Sequence, residues 1–103
     1  YLQALARVDS LIGDILAALK ARPKRTEEDW LILLTTDHGG TGTSHGGQSE
    51  EERKIWIIAS GTKSSKERLP SAIIGHSAIP HLAFRHLGVE PDPAWGWDVL
   101  PRK

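Results

Sequence analysis

Apolar side chains recur along residues 2–21 at Leu2, Leu5, Val8, Leu11, Ile12, Ile15, Leu16 and Leu19, in steps of three and one. That period lays one apolar stripe along a helix, and Arg7, Asp9, Asp14 and Lys20 fall mostly off it. Pro23 ends the helix, because the residue before a proline is pushed out of helical backbone angles. Lys24 to Asp29 is a charged connector, too polar to bury. Trp30 to Thr35 then runs without polar alternation, the pattern of a strand covered on both faces. Ile55-Trp-Ile-Ile-Ala repeats it. Helix, short linker and buried strand make half of a right-handed crossover unit, so the two runs are expected in a parallel sheet.

Between the strands, residues 39–49 hold five glycines and no large apolar side chain, and must form a loop. Ser49-x-x-Glu52 has the spacing of a capping box over a single helical turn. Residues 62–71 read as a second exposed connector. Ser77 is placed to cap a last helix carrying Ile79, Leu82, Ala83 and Leu87, which Gly88 closes and Pro91 prevents from continuing. The tail from Glu90 to Lys103 holds three prolines and two tryptophans, and is expected to lie extended on the body. Two parallel strands expose both edges and bury little, so this pair is expected to need further covering elements.

Composition narrows the class without naming it. The 103 residues are 39% hydrophobic and 25% charged, a globular balance sufficient for one small domain. Thirteen basic and thirteen acidic side chains cancel, and no nucleic-acid-binding surface is evident. No apolar run approaches the roughly 20 residues of a membrane span. Cysteine is absent, which excludes disulfides and thiolate metal sites. Methionine is absent even at position 1, and Tyr1 therefore reads as an internal start. The chain is expected to be a single partial domain, residues 1–103, of a longer protein.

Candidate chemistry gathers at Asp37 and His38, which end the first apolar run, and at His45, which the glycine-rich loop brings back. Carboxylate oxygen and imidazole nitrogen at a strand end suit a divalent cation such as zinc. Ligands in open α/β sheets gather beyond the carboxyl ends of strands. Gly39 and Gly40 are expected to allow the turn that brings Asp37 and His38 to one ion, since glycine accepts positive φ. An ionised Asp at a buried strand end would also demand a cation. The alternative is plain: Asp37 as a helix cap and His38 as an exposed turn residue.

Taken together, Leu33-Leu-Thr-Thr-Asp-His-Gly-Gly, Ser44-His-Gly-Gly and Lys54-Ile-Trp-Ile-Ile-Ala-Ser-Gly resemble the C-terminal part of the alkaline phosphatase superfamily. That group comprises phosphatases, type I phosphodiesterases/nucleotide pyrophosphatases and sulfatases. The resemblance extends from Val8-Asp-Ser-Leu-Ile-Gly-Asp to the stretch between His86 and Gly96, although only the Asp-His-Gly and His-Gly-Gly segments are distinctive. It implies the C-terminal portion of a three-layer α/β/α sandwich with a mostly parallel sheet. Asp37 and His38 match the pair that binds one metal beside the nucleophile, and His45 matches a ligand of the second. The remaining ligands and the nucleophilic Thr or Ser would precede Tyr1, so no catalytic residue is assigned here. The departure lies at His76-Ser-Ala-Ile-Pro-His, where members often carry Asp-x-x-Pro-Thr. That difference bears on helix packing more than on chemistry.

The resemblance implies a metal-dependent hydrolase of phosphate mono- or diesters, with two Zn2+ ions about 4 Å apart clamping an in-line displacement. A calcium-dependent sulfatase is the enzymatic alternative. The nearest lysine after His45 is Lys54, farther than sulfatases usually place it, which favours zinc over Ca2+. A non-catalytic domain that kept the fold is the third reading. The partner would be a small phosphate- or sulfate-ester substrate, and family members are frequently periplasmic or extracellular. His76, His81 and His86, at intervals of five, lack the i, i+4 spacing of a helical metal pair and read as solvated or packed. Trp30, Trp56, Trp95 and Trp97 read as packing aromatics, with Trp95 and Trp97 also able to wall a cleft. Residues 50–54 read as a solvated turn.

Overall fold

The computed structural model describes residues 1–61 and 73–98. Helix α1 spans Leu2–Lys20 and follows the apolar period. Lys20 in its last turn faces the partial negative charge of the helix end. The stripe that defines α1 is not covered: Leu5, Val8, Leu11 and Ile15 are all more than half exposed, and only Ile12, Leu16 and Leu19 are partly shielded.

The connector after α1 is more ordered than its polarity suggests. Arg22 donates to both Glu28 carboxylate oxygens, from Nε at 2.7 Å and from Nη2 at 2.6 Å. The Trp30 indole N–H donates to the same carboxylate at 2.8 Å, and the guanidinium lies 5.2 Å from the Trp30 ring centre. Backbone turns from Arg22 to Arg25 and from Lys24 to Glu27 and Glu28 close the bend. The Arg22 hydrogen bonds, then that of Trp30, hold the Glu28 carboxyl down from 4.5 to about 2.

Strands β1 (Leu31–Thr35) and β2 (Ile57–Gly61) pair antiparallel, with Leu31 opposite Gly61 and Thr35 opposite Ile57. This overturns the expected parallel pair, and with it the three-layer sandwich: among the described residues the sheet has two strands only. The physical reason lies in the connection. A parallel return needs a crossover of a dozen or more residues, usually a helix packed on the sheet face. Here the return holds only α2 (Glu50–Arg53), a single turn, and the chain doubles back instead. A continuous apolar run reports burial, not strand sense. Nor is β2 covered on both faces, because its residues alternate between half-buried and exposed. It also begins two residues later than the apolar run, at Ile57 rather than Ile55.

The capping box is present: the Ser49 hydroxyl accepts the Glu52 N–H, and the Glu52 carboxylate accepts the Ser49 N–H. Helix α3 spans Ala78–His86 and packs on β1. Ser77 occupies its N-cap position without capping it; the hydroxyl donates to Asp98 at 2.7 Å instead. At the other end Gly88 takes φ +72°. Its N–H donates to the Arg85 carbonyl and the Val89 N–H to that of Phe84, the paired closure of a Schellman motif. The tail then folds onto α3. Phe84 meets Trp95 and Trp97 edge-on at 5.6 and 5.4 Å, around a 3-10 turn at Pro93–Trp95. The expected connector at residues 62–71 lies outside the described residues.

Only Ala78 and His81 are buried among the described residues, both on α3. On either side of His81, His76 Nε2 donates to the Thr36 carbonyl at 2.9 Å and His86 Nε2 to that of Asp29 at 3.1 Å. These carbonyls flank β1 at its two ends, so His76 and His86 fasten the α3 segment along the strand. None of the described helices is long and apolar enough to cross a membrane.

Candidate metal centre

Leaving β1, the chain bends at Asp37. Asp37 Oδ1 accepts the His38 main-chain N–H at 3.1 Å, which turns the carboxylate toward the following residue. Oδ2 then lies 3.5 Å from His38 Nε2. The other ring nitrogen, Nδ1, lies 2.6 Å from the Gly39 carbonyl oxygen. A carbonyl only accepts, so Nδ1 carries a hydrogen, and a neutral ring keeps its lone pair on the nitrogen facing Asp37. Two electron-rich atoms facing at that distance are stabilised by a cation between them, either a proton on Nε2 or a metal ion.

The distance suits metal donors. Two ligands about 2.0–2.1 Å from a tetrahedral zinc ion stand about 3.3 Å apart. The Asp37–His38 pair is therefore spaced as one edge of such a site.

His45 returns through a tight reversal. Thr41 and Ser44 exchange both backbone hydrogen bonds, at 3.0 and 2.9 Å, across Gly42 and Thr43, and Gly42 takes φ +57°. The His45 ring stacks on that of His38 with centroids 4.7 Å apart and planes within 8°. Ring lone pairs lie in the ring plane, so nearly parallel rings do not aim at a common point.

Three expectations need correction here. Gly39 and Gly40 are not at positive φ. Gly39 is required for close approach instead: a Cβ there would collide with the Glu51 and Lys54 carbonyl oxygens, while its N–H donates to the Glu52 carbonyl at 2.8 Å. The argument from burial also fails, because the Asp37 side chain is 89% exposed and carries little desolvation cost. The appeal to strand ends in parallel sheets lapses with the parallel sheet itself.

The sequence reading expects Asp37, His38 and His45 to converge; the structure sets His38 beside Asp37 and stacks it on His45, as two pairwise contacts. It gives them no third donor on a common ion: no group of three or more His, Cys, Asp or Glu is arranged to hold a metal among the described residues. An open cleft of about 870 Å³ lies nearby, bordered by Arg53, Lys54, Ile57 and His76, but none of the three donors lines it. Trp95 and Trp97 pack on Phe84 and do not line it either. Two residues hold backbone next to these side chains, Glu52 at Gly39 and Gly47 and His76 at Thr36. Glu52 was visible through its capping spacing, whereas no local signal marks His76 as a ligand of the Thr36 carbonyl. No known family model matches the chain, and neither a characterised protein nor a solved structure does so.

Proposed function

We propose that the chain carries part of the metal centre of a hydrolase acting on phosphate mono- or diesters, as the Asp-His-Gly and His-Gly-Gly resemblance implies. Asp37 and His38 hold one divalent cation and His45 the other. The observation that carries this reading is the 3.5 Å edge between Asp37 Oδ2 and His38 Nε2. The stacked second imidazole supports it.

Each residue has a defined task. Asp37 supplies negative charge. The Gly39 carbonyl fixes the His38 tautomer by accepting from Nδ1, and so keeps Nε2 as a donor, a common arrangement around metal-bound imidazoles. His45 contributes a neutral nitrogen displaced by one ring spacing. Zinc, when bound, supplies Lewis acidity toward a phosphoryl oxygen. The remaining donors and the attacking nucleophile come from outside these 103 residues. That fits the open position of the site and the uncovered face of α1.

Zinc titration, followed by calorimetry and by histidine ring NMR signals, tests the reading. The chain itself should bind zinc weakly, with His38 and His45 signals moving together, and should show little or no catalysis. In protein carrying the complete centre, Asp37→Ala or His45→Ala should remove most metal and most phosphoesterase turnover. Unchanged metal content and turnover in both variants would refute the assignment.

A further inference from the structure

One residue touches both halves of the histidine loop. The Glu52 main-chain carbonyl accepts the Gly39 N–H at 2.8 Å, one residue after His38. Its side-chain Oε1 accepts the Gly47 N–H at 2.9 Å, two residues after His45. Oε2 also accepts from the Ser49 hydroxyl at 2.7 Å and the Ser49 N–H at 3.3 Å, so main-chain N–H groups hold both carboxylate oxygens even without the hydroxyl. Both glycines are pressed against this turn. A Cβ on Gly39 would meet the Glu51 and Lys54 carbonyls, and one on Gly47 would meet the Glu52 carboxylate itself.

We infer that Glu52 is a positioning residue: its main chain and its side chain fix the two glycine arms, and so set the spacing of the His38 and His45 rings. Its bearing on metal binding rests on the proposed function, whereas its bearing on ring spacing rests on the hydrogen bonds alone. A helix cap needs only the exchange between Ser49 and Glu52. The bond to Gly47 adds nothing to the cap, since Gly47 lies outside α2. It ties the turn to the loop.

The substitutions separate these roles. Ser49→Ala removes the capping hydroxyl and leaves the Gly47–Glu52 bond. Glu52→Ala removes the Gly47 bond and the carboxylate's bonds to Ser49 but keeps the Ser49 hydroxyl on the residue-52 N–H, and Gly47→Ala displaces the carboxylate while leaving Glu52 in place. Measured on the full chain, ring-to-ring NOEs between His38 and His45 should be lost in E52A and G47A and kept in S49A. Zinc affinity should fall by about 10–100-fold in E52A and G47A, the usual cost of losing a residue that orients a metal ligand. S49A should stay close to wild type. If E52A also loses the helical circular-dichroism signal of α1, G47A decides. Retained NOEs in G47A or in a folded E52A would overturn the inference. So would an equal loss in S49A, because Glu52 would then act through the cap alone. If the Asp37→Ala and His45→Ala variants of protein carrying the complete centre keep metal and turnover, the hydrolase reading fails while the NOE comparison still settles the role of Glu52.

Discussion

At the scale of single residues, Gly39 and Glu28 show how much depends on contacts that no motif describes. Gly39→Ala should lower the urea midpoint followed by tryptophan fluorescence, for a loss of about 1–3 kcal/mol of stability, because a new methyl must displace backbone carbonyls rather than a side-chain tip. An unchanged midpoint would mean that α2 does not press on the loop. Glu28 belongs to the clasp with Arg22 and Trp30. Its carboxyl titrates below its unfolded value, so the clasp contributes fully above about pH 4.5 and fades as pH falls toward 2. A carboxyl NMR titration with a midpoint near that of an ordinary glutamate would contradict the clasp. The closeness of His38 to Asp37 and to His45 was legible because the three sit in a short segment whose glycines leave few paths. The reasons first given for them were less sound: neither positive φ nor burial accounts for the bend at Asp37.

At the scale of elements, local punctuation proved reliable and pairing did not. The stripe of α1, the stop near Pro23, the capping spacing at Ser49 and the closure at Gly88 each depend on neighbours within a few residues. Whether β1 and β2 run together or opposed depends on the whole path from Thr36 to Trp56, and apolar runs carry no trace of it. Ser77 marks a subtler failure, since its hydroxyl is satisfied by a residue in the distant tail. Ser77→Ala should therefore loosen the tail, seen as faster amide exchange at Gly75 and Asp98, with little fraying of α3. Gly88→Ala should act on α3 itself, costing about 1–2 kcal/mol for left-handed backbone on a residue with a Cβ. Equal α3 exchange protection in G88A and the unsubstituted chain would argue against the Schellman closure.

For the molecule as a whole, the radius of gyration of 16.0 Å exceeds the roughly 13 Å of a closed domain of this length. The excess agrees with a core reduced to Ala78 and His81 among the described residues, and with the bare stripe on α1. The need for further covering elements could be argued beforehand, because two strands bury too little on their own. Which face would lie bare could not, because periodicity identifies an apolar face but not its partner. The chain should bind a hydrophobic dye such as ANS, and Leu5→Glu or Ile15→Glu should reduce that signal while leaving the His38–His45 NOEs intact. Dye binding unaffected by both changes would place the accessible apolar surface elsewhere.

The reversal at Gly42 and Thr43 has a consequence for how this loop tolerates change. Because Thr41 and Ser44 are paired across it, its chemistry is more forgiving of altered letters than of altered length. A single inserted or deleted residue there would break the Thr41–Ser44 bridge and move the imidazole at position 45 off the His38 ring. The stacked rings are thus under a counting constraint: variants that keep both imidazoles but change the number of residues between them would lose the stack.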